Sequence, residues 1–158
     1  MVEKKCVRGG EIAVAHNPCL LEAIGLGSCV AVCLYDKRQG IGGLAHVMLG
    51  KPPDNIREDI NPLRYADYAI DEMINEMEKL GSKKINIKAK IFGGAAMFGN
   101  SIFKIGENNI KSVKKKLLKE KIKIIAEDLG GEKGRNIWFN TEDGSVVVGN
   151  VFGRTKEY

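Results

Sequence analysis

The stretch Lys84-Ile85-Asn86-Ile87-Lys88-Ala89-Lys90-Ile91 alternates polar and apolar residues with a strict period of two. A β-strand sends successive side chains to opposite faces, so this pattern describes a strand with one buried face and one wet face. Such a strand needs a sheet around it and a layer to cover the apolar side. Candidate covering layers flank it in the sequence. Leu63, Ala66, Ala69, Ile70, Met73, Ile74, Met77 and Leu80 recur at helical spacing, and Gly81 stands where a C-terminal stop is expected, which predicts a helix over 63–80. Ile110, Val113, Leu117 and Leu118 mark a second amphipathic helix, with Asn108 or Asn109 as its expected N-cap.

The remaining apolar segments are too short for helices. Residues 11–15, 20–26, 29–35, 44–49 and 122–127 read as strands, and 136–139 with 145–152 form a last hairpin around Asp143-Gly144. Asp36 to Gly40 supplies the turn that makes a hairpin of 29–35 and 44–49. Asp128 and Arg135 flank Gly130-Gly131 and are either a loop-bracing pair or an incidental exposed ion pair. Residues 50–62 carry Pro52, Pro53 and Pro62 and read as a surface loop. Strands in consecutive groups with only two helices predict an α+β or layered α/β fold, with mixed β-sheets covered by two long amphipathic helices. With 158 residues, 44% hydrophobic and 28% charged, the chain (1–158) reads as a single soluble domain.

Composition narrows the function classes. No run of about 18 apolar residues is present and the N-terminus lacks signal-peptide order, so a cytoplasmic protein without membrane insertion is expected. Cys6, Cys19, Cys29 and Cys33 then read as reduced thiols. Cys29 and Cys33 stand about 13 Å apart along one strand, too far to share a metal ion or a disulfide, and no metal or cofactor is expected. The net charge of +5 is concentrated in 111–123, where seven lysines meet only Glu120. Their helical spacing puts them on a solvated face, and without arginine or interleaved aromatics they do not make a nucleic-acid surface. An acidic protein partner stays open.

The rarest residues carry the chemistry. His46, one of only two histidines, lies in the apolar run Leu44-Ala45-His46-Val47-Met48-Leu49. A buried imidazole there is either a core histidine bonded to a backbone carbonyl or a general base. Cys29 follows Gly25-Leu26-Gly27-Ser28, whose glycines permit close approach, and it is either a small strand residue or a nucleophile with backbone N–H groups beside it. As a nucleophile it is expected to have its pKa lowered by a nearby protonated imidazole. The hairpin register makes His46 an opposite or diagonal neighbour of Cys29.

Further strings extend the pattern. "GLGSCVAVCLYD", "GGLAHVML", "RYADYAIDEM", "AKIFGGAAMF", "IGENNIKSVKKKL" and "AEDLGG" followed by Gly134-Arg135 occur in this order over residues 8–150. Together they resemble the chemoreceptor glutamine deamidase family, CheD. The resemblance implies a layered cysteine-protease-like fold. It implies hydrolysis of selected glutamine side chains on methyl-accepting chemotaxis receptors through a Cys thioester, giving glutamate and ammonia. Cys29 matches the family nucleophile and His46 its general base and acid. Ser28 is a candidate orienter or oxyanion neighbour, and Gly27, Gly93 and Gly94 are candidate substrate-binding positions. A CheC-type phosphatase is the implied protein partner. The family usually has threonine where this chain has Ala23, and that threonine orients the histidine. Ser28, Glu22 or a backbone carbonyl is then left to do so. The alternative is a mainly non-catalytic module that binds a receptor or a CheC-type partner.

Overall fold

The computed structural model describes residues 2–97, 104–150 and 152–158. Phe98, at the end of the AKIFGGAAMF string, and Val151, in the expected last hairpin arm, lie outside the described residues.

The chain runs through β1 (Glu3–Cys6), β2 (Ile12–His16), β3 (Cys19–Leu26), β4 (Val30–Asp36), β5 (Ile41–Val47), α1 (Ala66–Lys79), β6 (Ile87–Gly93), α2 (Ile105–Lys119), β7 (Lys123–Leu129), β8 (Arg135–Asn140), β9 (Val146–Gly149) and β10 (Thr155–Glu157). The described strands form two five-stranded sheets, ordered β1-β3-β8-β9-β10 and β2-β5-β4-β6-β7. Both are mixed: β1 runs parallel to β3 and β6 parallel to β7, while the other pairs are antiparallel. The crossover between β6 and β7 is α2, as a parallel pair requires.

Two cores set the layer order. Val30, Val32, Leu34, Ala45, Val47, Ile87, Ala89 and Ile91 pack with Ala66, Ile70, Met73, Met77, Val113 and Leu117, so both helices lie on one face of the β4-centred sheet. On its other face Ala31, Cys33, Leu44 and Phe92 pack with Leu21, Ala23, Leu26, Ile137, Phe139 and Val146 of the β3-centred sheet. The α+β expectation holds, with an added feature: the helices cover one sheet, and the second sheet covers that sheet's back. β4 and β5 are buried on both faces, which is why residues 30–35 read as an uncharged run and not as an alternation.

Several elements depart from their expected bounds. The alternation that opened at Lys84 enters the sheet only at Ile87, because Lys84–Asn86 form a 3-10 turn that leaves Ile85 83% exposed. The polar face of β6 is not uniformly wet, since Lys90 Nζ donates to the Gly144 carbonyl at 2.8 Å and the Tyr158 carbonyl at 3.0 Å. α1 starts at Ala66, after a 3-10 turn over Pro62–Arg64 capped by the Asn61 side chain, 3.0 Å from the Leu63 amide. α2 starts at Ile105, so Asn108 and Asn109 lie inside it, and Lys104 is the N-cap. The Arg135 guanidinium reaches Asp128 at 3.3 Å and the Gly130 carbonyl at 2.7 Å, so of the two readings the pair braces the glycine loop.

The lysine face of α2 is also not wholly solvated. Lys116 is 7% exposed and its ammonium lies 2.7 Å from Asp71 of α1, while Leu118 is 79% exposed. Burial pulls the Lys116 pKa down, but the hydrogen bond and charge of Asp71, with Glu120 and Asp67, outweigh it and raise the pKa overall. The ion pair ties the two helices together, since a buried ammonium without a partner is costly. Lys116→Met, which keeps the packed stem, is expected to stay within about 1 kcal/mol of the parent. Lys116→Glu, which sets a third carboxylate beside Asp71 and Glu120, is expected to lose about 3 kcal/mol or more in urea unfolding.

Candidate active site

The chain passes from one sheet to the other through Gly27-Ser28-Cys29, between β3 and β4. Just before this, the β3–β8 register shifts between Ala23 and Leu26, with Gly25 at φ +72° and its amide bonded to the Asn136 side chain at 2.8 Å. This bulge breaks the β3–β8 ladder just before the crossover. The three peptide groups at the crossing are held from outside the ladder. Ala95 N–H donates to the Gly27 carbonyl at 2.9 Å, Asn109 Nδ2 to the Ser28 carbonyl at 2.9 Å, and Gly94 N–H to the Cys29 carbonyl at 2.8 Å.

Cys29 and His46 come together through the hairpin register. Val30 pairs with Val47 and Ala31 with His46, so Cys29 is the diagonal neighbour of His46. Ala31, Cys33 and Leu44 face the inter-sheet core, with Cys29 packed against it, whereas Val30, Ala45 and Val47 face the helices. Alternation therefore puts Cys29 and His46 on one face, at a diagonal separation of about 7 Å between backbone positions, within side-chain reach.

The Ala23 position is buried in the inter-sheet core and contributes no hydroxyl. His46 is instead oriented by a backbone carbonyl: its Nδ1 lies 3.0 Å from the carbonyl oxygen of Val7. A carbonyl only accepts, so Nδ1 carries the proton and Nε2 keeps its lone pair. Val7 is delivered by β1, where Cys6 pairs with Glu22 and Val7 N–H donates to the Glu22 carbonyl at 2.7 Å. The segment then wraps the histidine backbone, with Gly10 N–H donating to His46 O at 2.9 Å and His46 N–H to Glu11 O at 3.2 Å. Of the three substitutes open at Ala23, the carbonyl is the one in place. Glu22 is engaged elsewhere, by Trp138 Nε1 at 3.0 Å and Lys4 at 3.3 Å.

Burial decides the protonation of the pair. It pushes the half-buried Cys29 thiol above its ordinary 9.0, against a smaller downward pull from the residue's own amide. It holds His46, 5% exposed, below its ordinary 6.5, outweighing the Val7 carbonyl and the Glu11 carboxylate, which both favour the cation. Burial thus opposes charge on both groups, against the expected lowering of the Cys29 pKa by a nearby imidazolium. Cys33 is fully buried with its thiol pushed far up, and Cys19 is raised by burial as well.

The glycines of the site serve close packing within the chain. Gly93 (φ +110°) leaves no room for a Cβ beside the Cys29 carbonyl, and a Cβ on Gly94 would strike Ile110 of α2. Gly106, in the first turn of α2, lies against the Gly94 and Ala95 carbonyls. The side of Gly27 faces Met97, which is partly exposed. Sequence reasoning placed Cys29 and His46 but missed two groups. Val7 acts through its main chain, which has no side-chain signature. Asn109 is a poor helix former on the buried stripe of α2, four residues before Val113, and that misfit was the available signal.

A cysteine thiol and a histidine whose Nδ1 carries the proton share one sheet face of a layered β/β/α domain, an arrangement that a cysteine-dependent hydrolase would require. Residues 48–150 match the family model described as CheD chemotactic sensory transduction. The chain is 43% identical over 150 residues to the chemoreceptor glutamine deamidase CheD of Thermotoga maritima, covering 95% of this chain and 94% of that protein. It is 47% identical over 156 residues to the probable chemoreceptor glutamine deamidase CheD of Clostridium kluyveri, covering 93% of each. A relative of the same name from Clostridium botulinum is 44% identical over 153 residues, again covering 93% of each. The chain belongs to the CheD family.

These environments predict the order of thiol reactivity. Under limiting iodoacetamide, exposed Cys6 is alkylated first and Cys29 next, at a rate that rises as His46 loses its proton below pH 6.5, while Cys19 and Cys33 react only on unfolding. Site-resolved mass spectrometry of the wild type and His46→Ala checks this, with the pH step at Cys29 absent in the variant. Folding stability carries the same signature. Because the folded protein holds His46 below 6.5, the unfolded chain binds its proton first, and stability falls as pH drops below 6.5 towards the folded value. Urea midpoints at pH 7.5 and 5.5 should diverge more for the wild type than for His46→Ala.

Proposed function

We propose that this protein deamidates selected glutamine side chains of methyl-accepting chemotaxis receptors, with Cys29 as nucleophile and His46 as base and acid. The observation that carries the reading is the Nδ1–Val7 hydrogen bond, which leaves Nε2 unprotonated on the face that Cys29 shares. Nε2 takes the Sγ proton as the sulfur attacks the amide carbon, so the thiolate forms only as it is used. The amide oxygen becomes an oxyanion, and the Cys29 N–H beside the sulfur is a donor for it. His46 returns the proton to the nitrogen, ammonia leaves, and a thioester remains. Water, deprotonated by Nε2, attacks the thioester carbon, the sulfur leaves with the proton, and the glutamine has become glutamate. No cofactor enters this scheme.

Ser28 contributes its carbonyl to the nucleophile loop in this reading, and the orienting role belongs to Val7. Gly27, beside partly exposed Met97, is the candidate position for substrate approach, while Gly93 and Gly94 shape the site from behind. A CheC-type phosphatase as protein partner and a cytoplasmic setting are parts of the same proposal, supported by the family membership. No helix among the described residues is long and apolar enough to cross a membrane. The alternative of a mainly non-catalytic binding module rested on Ala23, and the Val7 carbonyl beside His46 Nδ1 favours the catalytic reading over it.

Incubation with a receptor cytoplasmic fragment should add about one dalton at particular glutamines, as NH is exchanged for O, and Cys29→Ala and His46→Ala should lower that rate by about a thousandfold or more. Unchanged turnover in Cys29→Ala would sink the proposal. Ala23→Thr is expected to leave kcat within about threefold, because Nδ1–H already has its acceptor.

A further inference from the structure

Asn109 is 1% exposed, and its side-chain nitrogen donates to two carbonyls, that of Ser28 at 2.9 Å and that of Met48 at 3.0 Å. Two acceptors facing one end of a carboxamide fix which end is the NH2 group, so its orientation follows from the partners. Ser28 precedes the nucleophile and Met48 lies two residues beyond His46. A single side chain from α2 therefore spans the two strands that carry the reactive pair, at the end of the ladder where β4 and β5 have stopped pairing.

The bond to Ser28 does more than hold spacing. In a planar trans peptide the C=O and the following N–H point in opposite directions. With the Ser28 carbonyl drawn towards Asn109, the Cys29 N–H points away from the helix. The Cys29 amide in turn interacts with its own sulfur. α2 can deliver the carboxamide because Gly94 and Gly106 let its first turns sit against the 93–95 backbone, and because a Cβ at Gly50 would meet Ser112.

We propose that Asn109 is a positioning residue for the deamidation, holding the Cys29 N–H towards the oxyanion and fixing the Cys29–His46 spacing. The inference rests on the Cys29–His46 reading above. Asn109 touches neither substrate nor reacting atoms; it acts through Ser28 and Met48. Both effects are felt in the transition state more than in substrate binding, so kcat should carry the loss.

The test uses Asn109→Asp, which keeps the shape and loses both donors, and Asn109→Ser, which keeps one donor at most. Val113→Ala, in the same helix and away from the site, serves as a control for stability. Both Asn109 variants are expected to lower kcat on the receptor fragment by about tenfold or more with KM within about threefold. They should also lose the pH step in Cys29 alkylation, as His46→Ala does, while Val113→Ala with a comparable fall in Tm keeps kcat and the step. Wild-type kcat and pH step in Asn109→Asp would overturn the inference. So would an equal loss in Val113→Ala, or failure of both Asn109 variants to fold, which would assign the residue to the fold itself. The alkylation readout needs no receptor and so stands apart from substrate identity. If Cys29→Ala keeps its turnover, the underlying reading falls; if Cys29→Ala and His46→Ala are inactive and Asn109→Asp is not, only the inference about Asn109 falls.

Discussion

The site depends on one crossing of the chain between two packed sheets. A strand that leaves one sheet and enters the other cannot keep its peptide groups in either ladder, and buried peptide groups need partners. At Gly27-Ser28-Cys29 those partners are Ala95, Asn109 and Gly94, which come from the loop after β6 and from α2. The Ser28 carbonyl is taken up by Asn109, so the Cys29 amide of the same planar peptide points the other way. In the proposed mechanism, the nucleophile and its oxyanion donor thus arise together from the way the fold solves its crossing. The glycines at 93, 94 and 106 follow from the same constraint, because the loop and helix that satisfy the crossing must approach to backbone contact.

The surroundings set the chemistry of the pair. An inter-sheet core of Val7, Ala23, Leu26, Ala31 and Phe92 disfavours charge on both sulfur and imidazole. A permanent thiolate–imidazolium pair there would need solvation that the core does not offer. A neutral pair needs only the correct tautomer, and one carbonyl supplies it. This also explains how the site accommodates Ala23. A methyl packs well in the core, and the orienting acceptor comes from the adjoining strand, β1, which lies parallel to β3.

Legibility in the sequence followed the length of each pattern. The 66–79 helix repeats its apolar stripe over nearly four turns, and the β4–β5 hairpin is announced by a turn between two apolar runs, so both were readable. β1 and β10 were missed, being short and exposed strands of polar sequence, EKKC and TKE, that exist only because β3 and β9 offer them an edge. Lys116 and Leu118 exchanged their expected places because the stripe of α2 is turned towards Asp71 of α1, and Asp71 with Glu120 makes a buried lysine tolerable. Asn109 read as a cap because asparagine favours helix starts in general, whereas its carboxamide here serves two distant carbonyls.

By itself the sequence determined the longer helices and strands, the layered α+β class and the family resemblance, which made Cys29 and His46 the candidates, since periodicity and residue type are local properties. Only the tertiary structure decided that a second sheet, and not a helix, covers the back of β4. It alone also decided that the Val7 carbonyl meets His46 Nδ1, that burial opposes charge on both Cys29 and His46, and that Asn109 bridges their two strands. Each of those depends on a main-chain group or a burial created by residues far apart in the chain, and a backbone carbonyl looks the same in every residue until the fold says where it points.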